Sequence, residues 1–193
     1  MNLFVTVLDF RMHARVLNRA LEFYRLHLWD ALRSHAELKT FLEAFPDTKN
    51  GNTQAALSLW GYKYWTRAGL LRKLLRFFEK TGIHDQKTLQ EWARKSNYER
   101  DFKNHVPGLG FAVYQWLVMR QGVESIKPDT HVKRFVQEIL GYEAAETRVV
   151  ELLCQTAKEM KVKAYELDWR IWESVRSKHG KPGVVKELSG RKR

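Results

Sequence analysis

The stretch NHVPGLGFAVYQWLVMRQGVESIKPDTHVKRFVQEILG, residues 104–141, holds the two features that decide how this chain folds. The first is Val106-Pro107-Gly108-Leu109-Gly110, set between segments of helical periodicity. Glycine takes positive φ at no Cβ penalty and lets the backbone approach a bulky neighbour closely. At the start of the helix that follows, exposed N–H groups and the helix dipole suit a phosphate oxygen. The same glycines would also serve a tight connection between two helices with no ligand involved. The second feature is Pro128-Asp129-Thr130-His131-Val132-Lys133-Arg134. Asp129 stands where the N-cap of a helix belongs, with Leu140 as the far end and Gly141 as the stop. A carboxylate there caps the helix. Facing a bound sugar, it can also stabilise positive charge on the ring or orient a water for attack on the anomeric carbon.

Outward from this stretch the chain is helical in pattern. Residues 10–29 place Phe10, Ala14, Leu17, Leu21, Tyr24 and Leu28 at steps of three and four. A shorter helix is expected from Ser34 to Phe45, stopped by Pro46. Residues 46–52 are turn formers throughout, so Thr53 is expected to cap a helix that ends at Trp60. From Thr66 to Lys80, Leu70, Leu71, Leu74, Leu75 and Phe78 make an apolar stripe. Arg72, Arg76 and Lys80 line up at i, i+4, i+8 on another side, with Lys73 beside them. Further helices are expected near 86–95, at Tyr98, and over 111–120, 129–140, 143–161 and 164–178. The opening Leu3-Phe4-Val5-Thr6-Val7-Leu8 lacks a basic flank and a cleavage site and is expected to be a packed segment. Neither an internal repeat nor a strand-like alternation is present, so the fold class is all-α. One helical domain is expected over 1–180, followed by a frayed basic tail over 181–193.

Charge narrows the partners. Thirty-four Lys and Arg against 22 Asp and Glu give a formal charge of +12, which favours polyanions because each neutralised phosphate releases counterions. No apolar run reaches the roughly 18 to 20 residues of a membrane span. The single cysteine, Cys154, allows neither an intramolecular disulfide nor a four-cysteine iron–sulfur cluster. His13, His27 and His35 have no metal-ligand spacing with acids or thiols, and no metal site is expected. The expected address is cytoplasmic, nucleoid-associated or nuclear, wherever DNA is.

A hydrophobic-Pro-Gly-hydrophobic-Gly hairpin, a helix, a short loop and then Asp-Thr-His-Val-x-Arg resembles the signature of the helix-hairpin-helix (HhH-GPD) base-excision DNA glycosylases, on the endonuclease III-like side. The match covers roughly Asn104 to Gly141. The resemblance implies two helical lobes flanking a DNA-binding groove, with double-stranded DNA as partner and the protein acting as a monomer. It implies that Val106, Gly108 and Gly110 offer backbone N–H groups to phosphates, with a monovalent cation held by hairpin carbonyls. It places the catalytic carboxylate on Asp129 and gives His131 and Arg134 bracing roles. Members that also cut the strand carry a lysine two residues after the second glycine, and this chain has Ala112 there. The only amine close to Asp129 in sequence is Lys127.

The expected activity is therefore that of a monofunctional DNA N-glycosylase, which hydrolyses the base–sugar bond of a damaged or mispaired base after flipping its nucleotide. No cofactor is required. The alternatives are a non-catalytic helix-hairpin-helix DNA-binding protein and a helical protein whose basic surface meets RNA or an acidic protein. Lys127, Arg72 and Arg76 are expected to contact DNA. The aromatic cluster Trp60, Tyr62, Tyr64 and Trp65 is a candidate base pocket or wedge, with core packing the more ordinary use of such residues.

Overall fold

The computed structural model describes residues 2–9, 12 and 14–179; the expected basic tail at 181–193, with Phe10 and His13, lies outside the described residues. All regular structure among the described residues is helical. The chain divides into two compact units, Met1–Val123 and Glu124–Arg193. The division falls between the hairpin and Asp129, so each unit holds one of the two features. No described helix is long and apolar enough to cross a membrane.

The first unit contains α1 (Asn2–Leu8), α2 (Ala14–His27), α3 (His35–Glu43), α4 (Lys49–Trp60), α5 (Trp65–Lys80) and α6 (Gln86–Lys95). A short π-helical turn (Tyr98–Phe102) and α7 (Phe111–Met119) complete it. The central helix is α5, packed on α1, α3 and α4. Ala55, Ala56 and Ala68 are fully buried where α4 meets α5, and their small side chains let the two backbones approach closely. Leu71, Leu74 and Phe78 continue the core from α5, joined by Phe4, Val7 and Leu8 of α1, Leu89 of α6 and Leu117 of α7. The opening segment is thus a helix with a buried apolar face.

Side-chain caps start α3, α4 and α6, on α4 at a residue other than the one expected, whereas α5 and α7 start without one. Ser34 and Glu37 form a reciprocal capping box on α3, and Asp85 and Thr88 do so on α6. On α4 the cap is Thr48, whose side chain accepts from Gly51 N–H at 3.2 Å. Thr53 instead lies inside the helix and donates to Lys49 O. Residues 49–52 read as turn formers but are helical, and Gly51 and Asn52 find a use in the first turn of α4. A Cβ on Gly51 would stand 2.0 Å from Pro46 O. Asn52 Nδ2 donates to Asp47 and its Oδ1 accepts from Arg72.

The second unit is a three-helix arrangement of α8 (Thr130–Leu140), α9 (Glu146–Glu159) and α10 (Ala164–His179). Val132 and Val136, Val149 and Leu153, and Ile171 and Val175 form its separate core. Glu124 accepts the Ala164 N–H at 2.9 Å and fixes the start of α10.

Candidate nucleic-acid interface and acid cluster

The hairpin is anchored through its apolar residues. Val106 and Leu109 are buried in the first unit, and Leu109 N–H donates to Val106 O at 3.1 Å. Gly108 has φ +102 and leaves room for Leu70 of α5. Gly110 is different: it is extended, with φ −90 and ψ −172, and caps α7 with no side-chain hydrogen bond. A Cβ at 110 would meet nothing within 4 Å. The first turn of α7 therefore offers backbone N–H groups without a side-chain cap, the arrangement that favours an anion.

The carbonyl side of the hairpin is taken up by the protein's own donors. Gly110 O accepts from Val113 and Tyr114, Val106 O from Leu109, and Pro107 O faces the Lys73 ammonium at 3.4 Å. With the Lys73 ammonium on Pro107 O, the hairpin is a poor fit for a further monovalent cation.

Lysines and arginines are distributed unevenly. Residues 1–123 carry nineteen against eleven acids, whereas 124–179 carry ten of each. Within residues 1–179 the excess of positive charge therefore falls in the segment that holds the hairpin. There a cavity of about 920 Å³ is lined by Lys73, Arg76, Lys80, Lys95, Arg100 and His105, by the acids Glu91 and Asp101, and by Phe77 and Trp92; Arg100 is paired with Asp101. Arg76 is exposed but shared with Asp47, whose carboxyl is held below its ordinary range first by the Asn52 side-chain bond and then by Arg76.

Arg72 does not join this surface. It is 7% exposed; its Nε donates to Asn52 Oδ1 at 2.8 Å and its Nη2 to Phe45 O at 2.7 Å. The expected DNA contact at Arg72 is corrected to a buried tie between α5, α4 and the loop before α4. Spacing of i, i+4, i+8 aligns residues along a helix but does not say which row the next helix covers.

Trp60 is also corrected. It is 1% exposed and packs edge-on against Phe4, with ring centroids 6.1 Å apart, so no base can stack on it. Tyr62 is half-buried, while Tyr64 and Trp65 are exposed. Lys49 lies over the Trp65 ring at 5.8 Å.

In the second unit Asp129 caps α8. Its Oδ1 accepts from His131 N–H at 2.9 Å and Val132 N–H at 3.1 Å, which leaves Oδ2 outside the cap. The structure brings Asp168 of α10 to the same place: Asp168 Oδ1 accepts the Lys127 N–H at 2.9 Å. Burial above all, with the like charge of Asp129 adding to it, pushes the Asp168 carboxyl up to about 6. The Lys127 amide bond and its positive charge pull the other way. Cys154 lies on α9 among the same groups, its thiol pushed up by burial and then by Glu124.

An aromatic face runs beside the acids. His131 meets Trp172 edge-on, Trp172 stacks on Trp169 with centroids 5.3 Å apart and planes at 22°, and Arg176 lies over Trp172 at 4.9 Å. Trp169 is 57% exposed. His131 thus braces α8 against α10, as expected, whereas Arg134 is exposed and makes no hydrogen bond or ion pair to a described residue. Sequence reasoning missed Asp168 and this face. The signal was Tyr165, Trp169, Trp172 and Arg176 at i, i+4, i+7, i+11, a second stripe beside the apolar Ile171 and Val175.

A protein-family model described as a domain of unknown function (DUF8548) matches residues 30–176, a span that includes the hairpin, Asp129 and Asp168. No curated protein and no solved structure matches the chain.

Proposed function

The chain belongs to the DUF8548 family, and we propose that within it the protein is a base-excision DNA repair protein of the HhH-GPD type: a monofunctional DNA N-glycosylase acting through Asp129. The observation that carries this is the use Asp129 makes of its two oxygens. Both cap bonds go to Oδ1, so helix capping and chemistry do not compete for the same atom, and Oδ2 is left to face a sugar.

The steps follow from residues in each unit. The uncapped first turn of α7, with Gly110 at its head, binds a phosphate, and the cations Lys73, Lys80 and Lys95 of the cavity in the same unit extend the attraction along the backbone of duplex DNA. A nucleotide turned out of the stack has Trp169 to lie against, in the unit that holds Asp129. As the base departs, positive charge grows on the sugar, and a fixed carboxylate stabilises it more than it stabilises the ground state. Water then adds to the anomeric carbon. Ala112 offers no amine, so no Schiff base forms there and the strand stays whole.

The test is single-turnover base release from duplexes that each carry one alkylated, oxidised, deaminated or mispaired base, for wild type and Asp129→Asn. The asparagine keeps the capping oxygen and removes the charge. Release is expected to fall by about 10²- to 10³-fold, the scale of losing one electrostatic stabiliser, while duplex affinity holds or tightens. Unchanged release by a folded Asp129→Asn variant would remove Asp129 from the chemistry. Duplex binding with no release from any substrate would favour the non-catalytic DNA-binding protein.

A further inference from the structure

We propose that Asp168 is a positioning residue for Asp129: its carboxylate holds the turn that presents Asp129, and a proton taken up at Asp168 loosens that hold, which makes the site sensitive to pH. The inference rests on the catalytic reading of Asp129. The link is continuous and short. Asp168 Oδ1 accepts the Lys127 N–H at 2.9 Å, Lys127 O accepts the Asp129 N–H at 2.7 Å, and Asp129 Oδ1 takes the first amides of α8. A side chain in the middle of α10 therefore sets the backbone immediately before the first turn of α8.

The strength of that hold depends on charge. An ionised carboxylate accepts a hydrogen bond roughly twice as strongly as a neutral acceptor. The groups that act on Asp168 are Lys127 and Asp129 on the loop and helix start, and Cys154 faces it from α9. With the Asp168 carboxyl pushed up to about 6, the strong form of the bond prevails above that pH and the weak form below it. A side chain that only satisfied a loop amide would tie the loop at every pH and leave no inflection in the rate. An acid at 168 has a use although burial opposes its charge: glutamine or leucine would fill the space, but neither gives a short charged acceptor for the Lys127 amide.

The test uses the full chain. In ¹⁵N-labelled protein the Lys127 amide resonance is expected to titrate with a midpoint near 6 and to lose that titration in Asp168→Asn, which keeps an acceptor oxygen but cannot ionise. On the substrate released fastest, the wild-type single-turnover rate is expected to fall about fivefold from pH 7.5 to 5, the difference between a charged and a neutral acceptor. Asp168→Asn should lose this inflection and stay at the lower rate throughout; Asp168→Ala, with no acceptor, should be slower still. A Lys127 amide that does not titrate, or a rate inflection that survives in Asp168→Asn, overturns the proposal. Absence of base release from every duplex, with the Lys127 titration present in wild type and gone in Asp168→Asn, would overturn the catalytic role of Asp129 and leave the Asp168 coupling standing.

Discussion

Gly108 in the hairpin packs directly on Leu70 of α5, so closely that a Cβ at 108 would stand 2.8 Å from Leu70 Cδ2. The backbone at 108 is also left-handed, at φ +102. Two residues on, Gly110 has open space at its Cβ position and an ordinary φ of −90. The two glycines therefore differ: Gly108 is required by the packing of the hairpin, whereas the space at Gly110 is open.

Gly108→Ala is expected to lower stability by about 1–2 kcal/mol, the cost of a side chain in left-handed backbone, plus whatever displacement Leu70 requires. Gly110→Val should change stability by less than about 0.5 kcal/mol yet weaken duplex binding, because the added methyls stand where a phosphate approaches. Denaturant unfolding and fluorescence anisotropy on the same proteins separate the effects. Wild-type affinity in Gly110→Val would take the hairpin out of the interface.

Arg72 and the cavity cations should divide in the same way. Arg72→Ala leaves Asn52 Oδ1 and Phe45 O without their donor in a buried setting, at an expected cost of about 3 kcal/mol. Lys80→Glu and Lys95→Glu should melt within about 0.5 kcal/mol of wild type. Each should nonetheless weaken duplex binding and reduce the slope of log affinity against log salt by about one. If Arg72→Ala melts like wild type, its bonds contribute nothing, and if the lysine variants bind normally, DNA runs elsewhere.

Local chemistry made much of this legible. Asp129 was legible as the cap of α8 and Ser34 as the start of α3, the helix expected over 86–95 lies directly after its Asp85 cap, and Gly141 marked the end of α8. Thr48 was missed because Asn50, Gly51 and Asn52 suit a turn in isolation; their helical roles depend on Pro46, Asp47 and Arg72, which only tertiary packing supplies. The same limit hid the burial of Trp60 and Arg72, since burial depends on which neighbouring helix covers a given row. Asp168 was unreadable for a further reason. Its partner is a backbone amide at Lys127, 41 residues away, and no side-chain motif records such a bond.

The exposed stack on α10 gives a sharper aromatic prediction than the 60–65 window. Trp169→Ala should leave stability within about 0.5 kcal/mol and weaken binding to duplexes with an unpaired or extruded base by about tenfold, within the usual range for one lost stacking contact. Affinity for fully paired duplex should change little. Equal loss on both duplexes would mean that Trp169 supports the fold or the backbone path rather than a base.

Asp168 also makes a stability prediction whose sign differs from that of most carboxylates. Its folded value of about 6 lies above the ordinary 3.8, so between these values the folded protein holds a proton that the unfolded chain has released. Its contribution is fully present below the ordinary value and is lost as pH rises through 6. Asp168→Asn, free of the cost of ionising a buried acid, is expected to be more stable than wild type at pH 8 by about 1–2 kcal/mol, after discounting for partial solvent access. That advantage should shrink towards zero at pH 4.5. Thermal melts of the two proteins across this range decide it; a constant difference would mean that Asp168 does not titrate in the window.

The last prediction concerns the strand left after base release. Cleavage by a lyase step needs an amine that attacks the anomeric carbon, expels the base and leaves an imine to the enzyme. In the strand-cutting glycosylases that this stretch resembles, the position of that amine corresponds to Ala112, the second residue of α7, whose methyl has no nucleophile to give. Lys127 is the nearest lysine to Asp129 in sequence, but its backbone is tied to Asp168 and its charge acts on the Asp168 carboxyl. Base release should therefore end at an intact abasic strand, broken only when alkali or heat is added, and borohydride should trap little protein on DNA. Strong trapping by wild type would contradict this and would single out Lys127. If Lys127→Ala then abolished the adduct while base release continued, the strand-cutting amine would lie in the acid cluster and not at the head of α7.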